Sequence, residues 1–327
     1  MTINDLIVSS PRLECTFLDN ATNARSDATI LVSYGEQGAR VVVVDGGLPT
    51  SRCYSALLAL RKQWLSSLGD KADADMKLHV TLIVTHCHTD HIDELSTNVI
   101  PSKRFQIDAL YLPQESALES TGAYTRARNG DVARRPQLLS AMARYAPDAP
   151  VYVLPFGGKA SLALPSGQID LYAPLTDMGT AEGQAYINSV YYPDDLQKRD
   201  QDGPLAVINS NSLWVHATLN GRGILLTGDM MKKKERDDEP FDRMIDAYGA
   251  LVRSDVVKYP HHGISRLPAA PRVVRDLLKE NGTVILSAPG AREKTGPALD
   301  ALGARYATTE DGPITFVIKG DTLSRAE

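Results

Sequence analysis

Cysteine is scarce: Cys15, Cys53 and Cys87 are the three in 327 residues. Three thiols cannot build a disulfide framework, and an odd count fits a reducing compartment, so a cytoplasmic location is expected. Long apolar runs are missing as well. Nothing approaches the ~18–20 residues needed to cross a bilayer, and the longest β-branched run is Val41 to Val44. Between Met1 and Leu13, Asp5 and Arg12 flank a short apolar stretch, which is not the basic-then-apolar pattern of a secretion signal. No membrane association is therefore expected. Neither sign of charge dominates: 35 Lys+Arg face 40 Asp+Glu, for a net charge of −5. That balance argues against coating nucleic acid and leaves room only for a local basic groove. Low-complexity tracts, a phosphate-loop motif, a nucleophile-elbow serine and a Cys/His hydrolase signature are all absent.

What is present, at 43% hydrophobic and 23% charged residues, reads as an ordinary globular enzyme able to bury its own core. Residues 13–19, 28–34 and 40–47 alternate or run apolar in the manner of strands, and 50–66 has helical spacing at Leu57, Leu58, Leu60 and Trp64. Residues 77–85 are again a buried strand, and a helix is expected to begin near Asp90. In the second half, strands are expected at 151–155, 168–173, 205–208, 213–219, 223–227, 256–260, 283–287, 305–308 and 314–318. Helices are expected at 241–252 and 268–280. Strands and helices mixed throughout, without a repeat, fit an α/β sandwich better than a doubly wound sheet. One domain over 1–327 is expected, with less typical insertions near 100–150 and 176–203. The first insertion carries Arg126, Arg128, Arg134, Arg135 and Arg144; the second is polar, Tyr-rich (Tyr186, Tyr191, Tyr192) and expected to be a long loop, a lid or a dimer contact.

The strongest chemical signal is Thr85-His86-Cys87-His88-Thr89-Asp90-His91, directly after a buried apolar strand. Residues two apart on an extended segment point the same way, so His86 and His88 can share one metal ion. As the chain turns into a helix, Asp90 and His91 swing to a second position a few ångströms away. Cys87, between two ligands, should face the core. His79 and His216 sit in apolar strand patterns and read as packed or edge histidines. Gly221-Arg222-Gly223 reads as a hairpin turn.

This motif resembles the His-x-His-x-Asp-His signature of the metallo-β-lactamase superfamily. Other landmarks of that family follow in order: Asp45-Gly46-Gly47, Leu226-Thr227-Gly228-Asp229, and Tyr259-Pro260-His261-His262-Gly263. The resemblance implies a four-layer αββα sandwich with mixed sheets and the metals at one edge. Within the superfamily the chain is most similar to the metallo-hydrolase domain of competence DNA-uptake channel proteins and to phosphorylcholine-esterase-like members. That likeness is carried by Asn209-Ser-Asn-Ser-Leu213, Leu225 to Asp229, Ser254 to Gly263, Val284 to Ala288 and Ala307 to Gly312, with Phe17-Leu18-Asp19 and Ser26-Asp27-Ala28 fitting more loosely.

Carried over residue by residue, it implies two divalent metal ions, zinc first and manganese or iron as alternatives. One would be held by His86, His88 and Asp229, the other by Asp90, His91, Asp229 and His262. Aligning Pro260 puts His262 on the metal, with His261 as the alternative ligand; in the first ordering His261 would donate to a substrate oxygen or orient a ligand. Many relatives carry a further histidine where this chain has Asn209 to Ser212, and Gly-Gly where it has Asp93-Glu94. Asp90 would orient the attacking water, while Asp45, Asn211 and Lys258 would support the ligands from behind.

The implied activity is hydrolysis by a metal-bridging hydroxide, since metal binding lowers the pKa of water from about 15.7 to about 7. The expected substrate is a small-molecule or nucleotide-like phosphodiester. Arg126 and Arg128 would meet its charge, unless their segment is only a solvated helix face. The rival readings are a carboxylic ester, lactone or β-lactam hydrolase, and a non-catalytic metal-binding sensor or scaffold. A homo-oligomer fits either.

Overall fold

The computed structural model describes residues 10–19, 25–36, 38–120, 134–234, 238–264 and 269–326. Arg126 and Arg128 lie outside them. The chain starts as an antiparallel meander, β1 (Arg12–Phe17), β2 (Ala28–Gly35) and β3 (Gly38–Gly46). Helix α1 (Cys53–Leu68) then carries it to β4 (Leu78–Ile83), parallel to β3. Helix α2 (Thr89–Glu94), extended by a π turn through Val99, leads to β5 (Phe105–Pro113). Short α3 (Ala117–Ser120) and α4 (Arg135–Tyr145) precede β6 (Val151–Leu154), which closes that edge parallel to β5.

The chain crosses to a second sheet with β7 (Lys159–Ala163) and β8 (Gln168–Tyr172), followed by α5 (Ala181–Tyr191) and α6 (Leu196–Ser210). The hairpin β9 (Trp214–Leu219) and β10 (Arg222–Leu226) turns through left-handed Asn220 and Gly221, as a two-residue Asn-Gly turn requires. Then follow α7 (Pro240–Val252), β11 (Ser254–Lys258), α8 (Ala269–Arg272) with a π turn to Leu277, β12 (Leu278–Leu286), α9 (Ala291–Ala301) and β13 (Arg305–Thr308). The last strands, β14 (Ile314–Lys319) and β15 (Thr322–Arg325), return to the first sheet beside β1. The sheets run β15-β14-β1-β2-β3-β4-β5-β6 and β13-β12-β11-β10-β9-β8-β7, each mixing parallel and antiparallel pairs.

Three cores define four layers. Between the sheets lie Leu13, Phe17, Leu31, Val42 and Val44 from one and Ile169, Val215, Ile224, Leu226 and Ile285 from the other. Outside the first sheet, Val41, Val43, Val80 and Leu82 pack on Leu57 and Trp64 of α1 and Leu138 of α4. Outside the second, Leu225, Val257 and Val284 pack on Phe241, Met244 and Tyr248 of α7 and Leu299 of α9. The order is helix, sheet, sheet, helix: an αββα sandwich. Val41 to Val44 runs apolar without alternating because both faces of β3 are covered. Phe17 meets Phe316 edge-on in the inter-sheet core, with ring centres 6.3 Å apart. Phe17→Ala should therefore lower unfolding free energy by about 3–5 kcal/mol, read from the urea midpoint; a loss near zero would mean the sheets do not pack through this pair.

Several expectations need correcting. The expected long loop at 176–203 is largely helix: Thr180 caps α5 by accepting from Gly183 N at 3.1 Å, and Asp195 caps α6 by accepting from Lys198 N at 3.0 Å. Gly183, Ile187, Val190 and Tyr191 form a buried stripe at helical spacing, joined by Ala206, Val207 and Ile208 of α6 in a satellite core with Met231. Residues 205–208, expected as a strand, are the end of that helix, and the apolar run is helix-on-helix contact. The helix expected at 268–280 stops at Leu277 because Leu278 is already extended and starts β12. Strands β5, β7 and β15 were not expected. Among the described residues no helix is long and apolar enough to cross a membrane.

Candidate metal centre

The site forms where strands of both sheets end together. Asp45 ends β3 in the left-handed region (φ 55°), a conformation that aspartate tolerates better than most residues. Its carboxylate, 3% exposed, accepts from Thr85 N (2.8 Å), Thr85 Oγ1 (2.7 Å) and the His91 ring at Nδ1 (2.9 Å). Gly47 is required beside it: at φ 74° a Cβ would lie 2.2 Å from Ser26 Oγ. Its N–H donates to His91 O at 3.0 Å, so the Asp-Gly-Gly turn fixes both the ring and the backbone of the motif.

The hydrogen-bond network assigns the ring tautomers. Thr85 Oγ1 gives its one proton to Asp45, and Ser212 Oγ gives its own to Asn209 O (2.9 Å). Both oxygens can only accept from His86 Nδ1, at 3.1 and 3.3 Å. His86 Nε2 is thus left with its lone pair, facing His88 Nδ1 at 3.2 Å. His91 and His262 differ from it, with a carboxylate facing each of their ring nitrogens. His262 Nδ1 lies 3.0 Å from Asp27 Oδ1, and its Nε2 lies 3.1 Å from both Asp90 Oδ2 and Asp229 Oδ2. His91 Nε2 lies 3.4 Å from Asp229 Oδ2 and 4.0 Å from Asp90 Oδ1. Asp229 follows β10 after Gly228 (φ 58°), where a Cβ would strike Ser212, and its N–H donates to Ser212 Oγ at 3.1 Å.

His261 and His262 are both left-handed (φ 50° and 57°), which costs on the order of 1–3 kcal/mol per residue unless the surroundings impose it. The twist buries His262 to 1% exposure and leaves the His261 side chain 21% exposed, its Nε2 at 3.9 Å from Asp229 Oδ2.

Charge decides what the site wants. Buried here are the carboxylates of Asp27, Asp45 and Asp229, with half-buried Asp90 beside them and Lys258 as the lysine among them. Burial opposes charge on His91, yet Asp229, Asp45 and Asp90 outweigh it and raise that ring well above the usual histidine range. His262 is raised in the same way by Asp229 and Asp27 against burial. Burial holds His86 well below that range and brings His88 and His261 down to about 4. Against its own burial, Asp229 is lowered by His262 and His91. In the metal-free protein two imidazolium protons therefore stand where the carboxylates call for positive charge.

The donor set fits a metal ion. Asp27, His91, Asp229 and His262 offer ligand atoms within 4.8 Å of one another. His91 Nε2 and Asp229 Oδ1 are fully buried without a hydrogen-bond partner among the described residues. Buried polar atoms are rarely left so unless something else satisfies them.

The remaining residues fall into place around this cluster. Asn211 accepts from Met178 N (3.2 Å) and reaches Asp177 (3.4 Å), while the contact to His86 is made by Ser212, which the sequence did not single out. Lys258 pairs with Asp27. Cys87 faces the core at 1% exposure, its thiol pushed up to about 12 by burial. Asp93 pairs with Arg134 at 3.2 Å, and Glu94 turns away to cap α1 at Tyr54 N (3.3 Å). Arg134 N donates to Cys87 O at 2.9 Å, so this part of the arginine-rich segment lies against the motif. Arg135 is buried on Pro113 O and Glu119, a structural role. His79 pairs with Asp108 at 2.7 Å, and His216 is packed in β9.

No protein-family model matches the chain, and no curated protein does. Solved structures do match. Among them are proteins of the metallo-β-lactamase fold or family. The metallo-β-lactamase fold protein YhfI of Bacillus subtilis matches over 94% of this chain and 99% of its own, at 11% identity and TM-score 0.46. A β-lactamase domain protein of Burkholderia ambifaria matches over 75% and 67%, at 12% identity and TM-score 0.35. A metallo-β-lactamase family protein of Thermus thermophilus matches over 68% and 65%, at 17% identity and TM-score 0.29. The αββα assignment stands on the sheets and cores described above.

Proposed function

We propose that the chain is a metal-dependent hydrolase of phosphodiester bonds, with two divalent cations, zinc first, in the His/Asp cluster. The observation that carries this reading is the convergence of His91 Nε2 and His262 Nε2 on one carboxylate, Asp229, in a buried site rich in carboxylates. His86 Nε2, His88 Nδ1 and Asp229 would hold one cation; Asp90, His91, Asp229 and His262 would hold the other. The unpartnered Asp229 Oδ1 supports a bridging role. Mixed imidazole and carboxylate donors suit zinc, with manganese or iron as alternatives. Bound there, the cations would supply a water of lowered pKa and Lewis acidity toward the substrate oxygen.

The chain's own groups do the rest. Asp45 keeps the His91 ring and the motif loop fixed, which limits reorganisation during turnover. Asp90 faces the same space and can accept a hydrogen bond from a water, orienting its lone pair. His261, held neutral by burial and partly open to solvent, is placed to donate Nε2–H to a substrate oxygen. The phosphodiester preference draws on the competence-type likeness in the sequence, and on Arg134, whose backbone brings the arginine-rich segment to the motif. The same reading takes the chain as one catalytic domain.

The test is a substrate panel on zinc- and manganese-loaded protein: bis(p-nitrophenyl) phosphate, a p-nitrophenyl ester, a lactone and a β-lactam. Turnover of the phosphodiester above the others is expected. Lactone or ester turnover without phosphodiester cleavage would refute the substrate class while keeping the metal centre.

A further inference from the structure

We propose that Asp27, to which the sequence assigns no role, is the positioning residue for His262, holding its ring so that Nε2 is presented to the cation. The inference rests on the metal-centre reading above and deepens it. Asp27 is 4% exposed, and both of its oxygens are occupied. Oδ1 lies 3.0 Å from His262 Nδ1 and accepts from Ser287 Oγ at 2.6 Å, while Oδ2 takes the Lys258 ammonium. Asp27 stands within the cluster, and these contacts set it behind the His262 ring. It can fix the ring: Nδ1 faces Asp27, and Nε2 faces Asp90 and Asp229, 3.1 Å from each, so Nε2 is the nitrogen that gives up its proton to a cation. His91 is held in the same manner by Asp45. The two histidines facing Asp229 thus share one device, a buried carboxylate behind Nδ1.

Its placement explains why a residue so far away in sequence does this. Asp27 immediately precedes β2 in the first sheet, and its N–H donates to Asp90 O at 3.1 Å. Lys258 ends β11 and Ser287 follows β12, both in the second sheet, and Ser287 N also donates to His262 O at 3.1 Å. One carboxylate therefore joins the motif loop, the histidine turn and the ends of two strands. His262 sits in a strained left-handed turn, φ 57°, and Asp27 and Ser287 hold its ring and carbonyl there.

Asp27→Asn alone would leave Lys258 a buried, unpaired ammonium. The test variant is therefore Asp27→Asn with Lys258→Met, alongside Ser287→Ala, which deletes one hydrogen bond and leaves the charges. Zinc affinities are measured by competition with a chromophoric chelator, and the geometry of each site by the visible spectrum of the cobalt-loaded protein. In the double variant one of two cations should bind about 10–100-fold more weakly, with its cobalt band altered and the other site unchanged. Ser287→Ala should weaken the same site by a smaller factor. Wild-type affinities and spectra in both variants would overturn this inference alone. A wild-type chain that takes up no metal would overturn the proposed function, and this with it.

Discussion

Asp229→Ala should abolish phosphodiester turnover, by about three factors of ten or more, the roughly 4 kcal/mol or more that metal activation supplies. Asp229 is 2% exposed and lies within 4.0 Å of His91, His261 and His262 together. Its removal takes a shared ligand from both proposed cation positions. The fold should survive, because the protons that His91 and His262 carry in the metal-free protein can leave once the counter-charge is gone. Circular dichroism and the urea midpoint check that survival, and turnover of the zinc-loaded variant checks the loss. Retained turnover would remove Asp229 from the centre and with it the two-cation arrangement.

The second large effect is the way metal stabilisation grows with pH. Burial opposes charge on His91 and His262, but their carboxylate neighbours raise both well above 6.5 in the folded, metal-free state. Groups so raised contribute stability that is fully present below about 6.5 and is lost as pH climbs through their folded values. Asp229 and Asp90 are lowered, so their contribution is present above the usual carboxylate range and is lost as pH falls through their depressed values. As pH rises from about 6.5 through the raised values of His91 and His262, the metal-free site therefore loses its compensating protons. Bound cations replace those protons and bind better as the rings deprotonate. At about 1,000 times Kd a ligand adds about 4 kcal/mol, and the gap in Tm between loaded and chelator-treated protein should widen across that range. A gap that narrows with pH would contradict the charge assignment.

Much of the site was legible because its residues are local. His86 to His91 is one strand-to-helix turn, and the side-chain directions of an extended segment follow from its period of two. Asp45, Asp229 and His262 became legible only through family resemblance, since no spacing rule joins residues so far apart. Asp27 and Ser212 escaped for the same reason. Their roles come from strands of two sheets ending side by side, and a lone aspartate before a strand carries no local sign of that. In the fold, a buried strand was visible where an unbroken apolar run is covered on both faces, as at Val41 to Val44. The α5–α6 pair was not, because polar Gln184, Asn188, Lys198 and Asp202 dilute a stripe that is apolar only on the face between the helices. At 205–208 the same stripe imitated a strand, since an apolar run of four residues carries too little period to separate the two.

The measurement that tests the central claim most directly is the number of zinc ions per chain. It would be read by mass spectrometry on protein reloaded after chelation and passed through a desalting column, with a His88→Ala, Asp229→Ala double variant beside it. The account predicts close to two per wild-type chain and fewer than one in the variant. No zinc retained by the wild-type chain, or the same content in both proteins, would contradict it.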